Sequence, residues 1–212
     1  TASKGFAIKV VNAGGVENWK LGKRDTGLDD EVIGWKVTPR QIMVALADVS
    51  SELNLPHGPH IHVNRLGHAG NSATTIQTIE ALEGRRAHLA HLQFASYGGG
   101  GEHPLRSAAI EVAAVVNAHP NITADIGQVV FGPTTTLTAD APLEHTLHML
   151  SGNKWCNCDI EEETGGGVVP MNHARKNTVS ALQWCIGLEL FLQIQDPWRV
   201  FLTTDHPNGG PF

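Results

Sequence analysis

Three cysteines in 212 residues are too few for a disulfide framework. Cys156, Cys158 and Cys185 read instead as reduced thiols, which sets the expectation of a cytoplasmic location. Basic residues are also scarce. Fifteen Lys and Arg against 21 Asp and Glu leave a net charge of −6 and a pI near 6.0, which argues against nucleic acid as the main partner. No apolar run approaches the roughly 20 residues of a membrane span, and no signal peptide is visible. Cys156-Asn157-Cys158 has no second cysteine pair at zinc spacing, so structural cysteines are set against a weak metal signal. Glycines 98 to 101 lack the Lys-Ser of a P-loop, which favours a mobile loop over a phosphate cradle. No methionine opens the chain. It starts at Thr1, reaches an apparent strand by Phe6 and stops at Phe212 after a polar loop, so it reads as an excerpt of a longer protein.

What is present is a globular composition, 41% hydrophobic and 17% charged, with 12 histidines and 23 glycines. The length suits one domain or two small ones. The most informative stretch is His60-Ile61-His62-Val63-Asn64, which alternates polar and apolar residues with the period of a strand. His60, His62 and Asn64 fall on one face, Ile61 and Val63 on the other. Two imidazoles and an amide on one face are costly to bury unpartnered. They are either a hydrogen-bonded structural pair or the lining of a site.

Other strands have similar features. Phe6 to Val11 is an apolar run interrupted by Lys9 and closed by Asn12-Ala13-Gly14-Gly15. Lys9 either snorkels to the strand end or is a buried amine open to carboxylation by carbon dioxide. Residues 14 to 38 read as a long loop over the site. Pro39 opens a helix with Ile42, Met43, Leu46 and Val49 on one side, and Ile76, Ile79 and Leu82 mark a second helix ending at Gly84. Ala87 to Phe94 reads as a strand; alternation puts His91 on one face and His88 on the other, toward covering helices. A helix over 106–118, a strand or strand pair over 122–131, a helix over 177–194 and a strand over 199–205 follow. Residues 152–171 break this rhythm and read as an insertion. Strands alternating with amphipathic helices predict βαβ units, an α/β fold and a parallel sheet. In a barrel of that type, residues at the carboxyl ends of strands carry the chemistry, and Lys9, His62, His91 and Asp205 lie in or near such ends.

A lysine on one strand, His62-Val63-Asn64 on the next, a histidine on the next and a terminal Thr204-Asp205-His206-Pro207 resemble the amidohydrolase superfamily. The resemblance implies a (β/α)8 TIM barrel, of which residues 1–212 are the carboxyl-terminal part, about strands four to eight. It also implies that Lys9 is carboxylated and bridges two zinc ions, that His62 and His91 ligate metal, and that Asp205 both ligates and shuttles a proton. The His-x-His pair on the family's first strand is absent here; His60-Ile61-His62 sits one strand after Lys9 and is not that pair.

A narrower similarity covers nearly the whole chain. It is carried by Ile8-Lys9-Val10-Val11-Asn12-Ala13-Gly14-Gly15, Ser151-Gly152-Asn153-Lys154-Trp155, the 87–98 and 127–136 segments, and the long run from Phe201 to Phe212. These resemble the A subunits of formylmethanofuran dehydrogenases and of the formyltransferase/hydrolase complexes of methylotrophic bacteria. That resemblance implies interconversion of N-formylmethanofuran with formate and methanofuran, the other subunits of such a complex as partners, and a place in methanogenesis or methylotrophy. Zinc would polarise the formamide carbonyl and lower the pKa of water from 15.7 toward about 7, while Asp205 moves the proton. Two other readings compete: a zinc amidohydrolase of the hydantoinase or dihydroorotase kind acting on cyclic amides, and a metal-free scaffold subunit.

Overall fold

The computed structural model describes residues 5–23, 25–127, 133–138, 142, 145, 146, 148, 149, 167–172 and 178–203. Five strands form one parallel sheet: β1 (Lys9–Val11), β2 (His60–His62), β3 (Ala87–Leu89), β6 (Ile122–Ile126) and β9 (Val200–Leu202), neighbours in that order. A helix lies in each connection: α2 (Pro39–Glu52), α3 (Ser72–Ala81), α4 (Ala109–Ala118) and α5 (Thr178–Gln193). Spatial order equals chain order, and α2 packs on α3, α3 on α4 and α4 on α5. The helices therefore cover one face of the sheet. The predicted α/β architecture with a parallel sheet is what the chain adopts.

The alternation of residue types explains why one face is covered. Ile61, Leu89, Ile122, Ala124, Ile126 and Val200 are buried against Met43 and Ala47 of α2, Ile79 of α3, Val112 and Val116 of α4, and Ile186 and Leu190 of α5, all in one cluster. Most of the residues that alternate with them on the strands are polar, namely Lys9, His60, His62, His88, Thr123 and Asp125, with Val11 and Phe201 the apolar members of that face. Register sets Lys9 opposite His60, His60 opposite His88, and His88 opposite Thr123, so one row of the second face is polar across four strands. A sheet with helices on both sides would need apolar residues at these positions.

The helices start and pack for local reasons. α2 opens with a capping box: Gln41 N–H donates to Thr38 Oγ1 and Thr38 N–H to Gln41 Oε1, with Pro39 at the first helical position. Such a cap contributes about 0.5–2 kcal/mol. In α3 the expected Ile76 stripe is shared with threonines. Thr75 and Thr78 are fully buried, which is possible because Thr75 donates to Ala95 O at 2.6 Å and Thr78 to Thr74 O at 2.8 Å.

Three segments depart from the expectations above. The 14–38 region is not all loop: Gly14, in the left-handed conformation at φ 66°, leads into α1 (Gly15–Lys20). Buried Asn18 of α1 donates to Thr26 Oγ1 and Glu31 O and accepts from Ile33 N–H, tying the segment down. Glycines 98 to 100 lie in β4 (Tyr97–Gly100), which pairs antiparallel with β5 (His103–Ser107), so the glycine run is a hairpin arm. The strand expected over 87–94 ends at Leu89, and a 3-10 turn follows over Leu92–Ala95. Of the 152–171 segment, residues 152–166 lie outside the described residues. Its end belongs to β8 (Gly167–Asn172), paired antiparallel with β7 (Pro133–Thr138). Cys156 and Cys158 also lie outside the described residues, whereas Cys185 is a free thiol on α5. Among the described residues no helix is long and apolar enough to cross a membrane.

Candidate metal-binding site

At the carboxyl end of the sheet, three adjacent strands each lead to a non-glycine residue in left-handed conformation. Asn12 follows β1 at φ 42°, Arg65 follows β2 at φ 61°, and His91 follows β3 at φ 41°. Such backbone is uncommon outside glycine and gathers where the surrounding structure holds a residue for a purpose. His91 N–H donates to Asp125 Oδ1 at 2.7 Å, which holds that turn in place.

The turn has a direct consequence. Because β3 stops at Leu89 and the backbone inverts at His91, strand parity does not carry through to position 91. His91 comes over the polar face and its ring meets that of His62 edge to face, with centroids 4.8 Å apart and planes at 86°. His88 occupies the same face one row below, its ring 4.6 Å from that of His60. The expectation that His88 points away toward the helices is thus corrected. Ala87 and Leu89 take that direction and are buried in the core.

Asp125 joins the pieces. Beyond the His91 amide, its Oδ2 lies 2.9 Å from His88 Nε2, and Thr203 Oγ1 donates to Oδ1 at 3.1 Å. With the carboxylate ionised, His88 donates through Nε2, and Nδ1 accepts from the Thr123 hydroxyl at 2.9 Å, a tautomer inferred from these partners. Burial pushes the Asp125 carboxyl up, but the His88 hydrogen bond, the His91 ring and the His91 amide together hold it below its ordinary value. His91, 5% exposed, is driven well below the usual histidine range by burial, then by the His62 ring and the Lys9 charge. It is a neutral imidazole at pH 7. His60 is lowered for the same kinds of reason: burial first, then His88 and Lys9.

Lys9 stands on the polar face at the start of β1, in the row of His60; Val11 is the residue opposite His62. Two strand residues, about 6.6 Å, separate the two rows, and a lysine's four-carbon stem covers most of that distance. Its side chain is exposed, which differs from the buried amine considered above. Asp205 lies outside the described residues. Of the four candidates, the structure therefore brings His62 and His91 together and puts Lys9 on their face.

The residues fit a zinc ion on two observations. Neutral imidazoles are ordinary zinc donors. His91 Nδ1 is a buried nitrogen with no hydrogen-bond partner among the described residues, an arrangement native proteins rarely leave without a role. Two donors are all that gather: among the described residues no three His, Cys, Asp or Glu side chains form a metal-binding group. A shallow cleft bounded by Asn12, Asp25, Arg65 and His68 lies nearby over the loops after β1 and β2. Its arginine is already paired with Asp25 at 2.9 Å, and the cleft borders none of Lys9, His62 or His91.

Asp125 is not among the candidates that the sequence singles out, although a signal for it exists. Ile122-Thr123-Ala124-Asp125-Ile126 alternates as clearly as the His60 strand does, which places Thr123 and Asp125 on one face.

A model of the amidohydrolase family matches residues 1–212. The chain belongs to the amidohydrolase family. Over its full length it is 50% identical to Protein FwdA of Methanocaldococcus jannaschii. Over 99% of its length it is 44% identical to the A subunit of Formyltransferase/hydrolase complex Fhc of Methylorubrum extorquens. It spans 39% of the length of each of these relatives. Its fold matches the crystal structure of the formyltransferase/hydrolase complex FhcABCD of Methylorubrum extorquens, solved with methylofuran. The TM-score is 0.90 at 43% identity, over 99% of this chain and 39% of that one. The polar strand-end residues of this amidohydrolase chain thus stand on a backbone shared with a component of that complex.

Proposed function

We propose that this chain is the carboxyl-terminal part, about strands four to eight, of a (β/α)8 barrel in a zinc-dependent amidohydrolase subunit. That subunit interconverts N-formylmethanofuran with formate and methanofuran. The observation that carries the reading is the His62–His91 pair, with rings 4.8 Å apart and His91 Nδ1 buried without a partner among the described residues. It occurs on a chain similar to the A subunit of Fhc, whose complex was solved with methylofuran. A parallel sheet with α2, α3, α4 and α5 on one face and a mostly polar opposite face is the local pattern of a barrel wall. The other subunits of a formyltransferase/hydrolase or formylmethanofuran dehydrogenase complex are the proposed partners, and the cytoplasm the proposed location.

His62 and His91 would hold zinc through their imidazole nitrogens, and Lys9, once carboxylated, would add an oxygen donor on the same face. Bound zinc supplies polarisation of the formyl carbonyl and acidification of water. Asp205 accepts the proton that the attacking water loses and returns it to the leaving amine. Asp125 keeps the His91 turn in place. Run in reverse, the same groups condense formate with an amine.

The test is a screen of the full-length subunit in its complex against N-formyl amines and cyclic amides, with zinc measured in the same preparation. Formate release from the formyl carrier with zinc bound is the expected result. Turnover of hydantoins or dihydropyrimidines alone would move the substrate to the cyclic-amide class, and a zinc-free, inactive complex would leave a scaffold.

A further inference from the structure

Strand β6 contributes no candidate ligand, yet the polar contacts of the His91 turn run to it. Asp125 Oδ1 accepts the His91 N–H at 2.7 Å, and Asp125 Oδ2 engages His88 at 2.9 Å. Two residues on, Gly127 is held from both sides by one amide: its N–H donates to Gln93 Oε1 at 2.9 Å, and its carbonyl accepts from Gln93 Nε2. Gln93 lies in the 3-10 turn that His91 caps. A methyl group on Gly127 would come within 2.7 Å of His91 Cβ. That atom is fixed to the backbone, so neither side can yield without moving the turn. The end of β6 is thus shaped against His91 by a carboxylate on its N–H, an amide clamp two residues later, and a missing side chain at its Cβ.

We propose that Asp125 and Gly127 position the His91 imidazole, Asp125 by holding its backbone in the left-handed conformation and Gly127 by leaving its Cβ room. The inference rests on the metal-ligand reading of His91 for its functional consequence, though the positioning itself rests on geometry alone. Asp125 is a positioning residue, not a ligand: its oxygens already serve His91 N–H, His88 Nε2 and Thr203 Oγ1. The Thr203 bond gives the same carboxylate a hold on the residue that follows β9. One group therefore ties the His91 turn to the end of β9.

The experiment uses the full-length subunit in its complex, with Asp125→Ala, Asp125→Asn and Gly127→Ala, and Val112→Ala in the core of α4 as a control that loosens packing away from the site. Two quantities are read: zinc affinity by competition with a chromophoric chelator, and carbethoxylation of His91 by diethylpyrocarbonate in chelator-treated protein, mapped by mass spectrometry. Asp125→Ala and Gly127→Ala are expected to weaken zinc binding by about 10–100-fold and to expose His91 to modification. Asp125→Asn, which keeps an oxygen for the His91 N–H, is expected to recover most of both. Val112→Ala should leave both unchanged. Gly127→Ala removes no polar group and decides the matter should Asp125→Ala not fold. Wild-type zinc affinity and full protection of His91 in Gly127→Ala would overturn the positioning role while leaving the amidohydrolase reading intact. A wild-type complex that binds no zinc, with His91 protection still lost in the variants, would overturn the metal reading and leave the positioning.

Discussion

His62 and His91 meet edge to face at 4.8 Å, but the backbone delivers them by different means. His62 arrives as the last residue of a regular strand, its carbonyl accepting from Asn12 N–H at 2.9 Å. His91 arrives past the end of its strand, through an inverted backbone anchored on Asp125. Only the second carries a conformational cost, of order 1–3 kcal/mol for a non-glycine residue held in sparsely populated backbone.

Replacing His91 by Asn separates that cost from the ligand role. Asparagine tolerates the left-handed conformation, and removing the ring also removes a buried nitrogen that lacks a partner among the described residues. Zinc content of the full-length complex is expected to fall at least tenfold, beyond the lower bound of about 10-fold for a residue that merely orients a ligand. The stability of the metal-free protein should fall by about 1–3 kcal/mol, since a smaller amide with polar atoms of its own replaces the buried ring. Zinc analysis and thermal denaturation after chelation check both halves. A variant that keeps its zinc would strip His91 of the role.

What is legible in the sequence, and what is not, follows from the range of the forces involved. Period-two alternation is local, so the two faces of β2 and the core residues Ile61 and Val63 are legible. The same holds for βαβ order, since each helix stripe announces itself within a few turns. The reversal at His91 is not legible, because it depends on the Asp125 carboxylate 34 residues away. Extrapolating strand parity past Leu89 therefore misassigns His88. The 98–107 hairpin is hidden for another reason. Glycine carries no side-chain pattern, and the antiparallel pairing that makes β4 and β5 is visible only once both arms are placed.

Acid should destabilise the metal-free protein in a defined window. His91 is held well below 6.5 by burial, His62 and Lys9, so it stays neutral in the fold while the unfolded chain takes up a proton near 6.5. The unfolded state then binds more protons. Stability is unaffected by this residue above that pH and falls as pH drops below it, by at most about 1.4 kcal/mol per pH unit. Asp125, lowered in the fold, acts in a separate range: its contribution is full above 3.8 and is lost only as pH falls beneath that value. Urea midpoints taken from about pH 7.5 to about pH 5.5 should decline in wild type and decline less in His91→Asn. A flat wild-type profile over that range would contradict the neutral buried imidazole.

His88→Leu tests the corrected placement. The substitution leaves Thr123 Oγ1 and one Asp125 oxygen without their 2.9 Å partner in a half-buried setting, a loss of about 1 kcal/mol or somewhat more. Because the same carboxylate holds the His91 N–H, zinc affinity should weaken as well, though less than in Asp125→Ala. Chemical denaturation and chelator competition on one preparation give the two numbers. Reduced stability with zinc affinity at the wild-type value would make His88 purely structural after all.

Asp205→Asn addresses the proton. The amide has nearly the volume of the carboxylate and keeps one oxygen for a metal, so substrate binding should survive. It cannot accept the proton that attacking water loses, an interaction needed in the transition state more than in the ground state. General acid–base assistance alone is worth about 10²–10⁴-fold, and the loss is expected in kcat with KM little changed. Thr203, two residues earlier, is tied to Asp125 at 3.1 Å, so Thr203→Val in parallel reports how much of any defect comes from a displaced strand instead of a missing base. Formate release from the formylated carrier is followed over a pH series with zinc measured alongside. An Asp205→Asn enzyme that retains zinc and more than about a tenth of wild-type kcat, a loss smaller than the acid–base range, would take proton transfer away from Asp205.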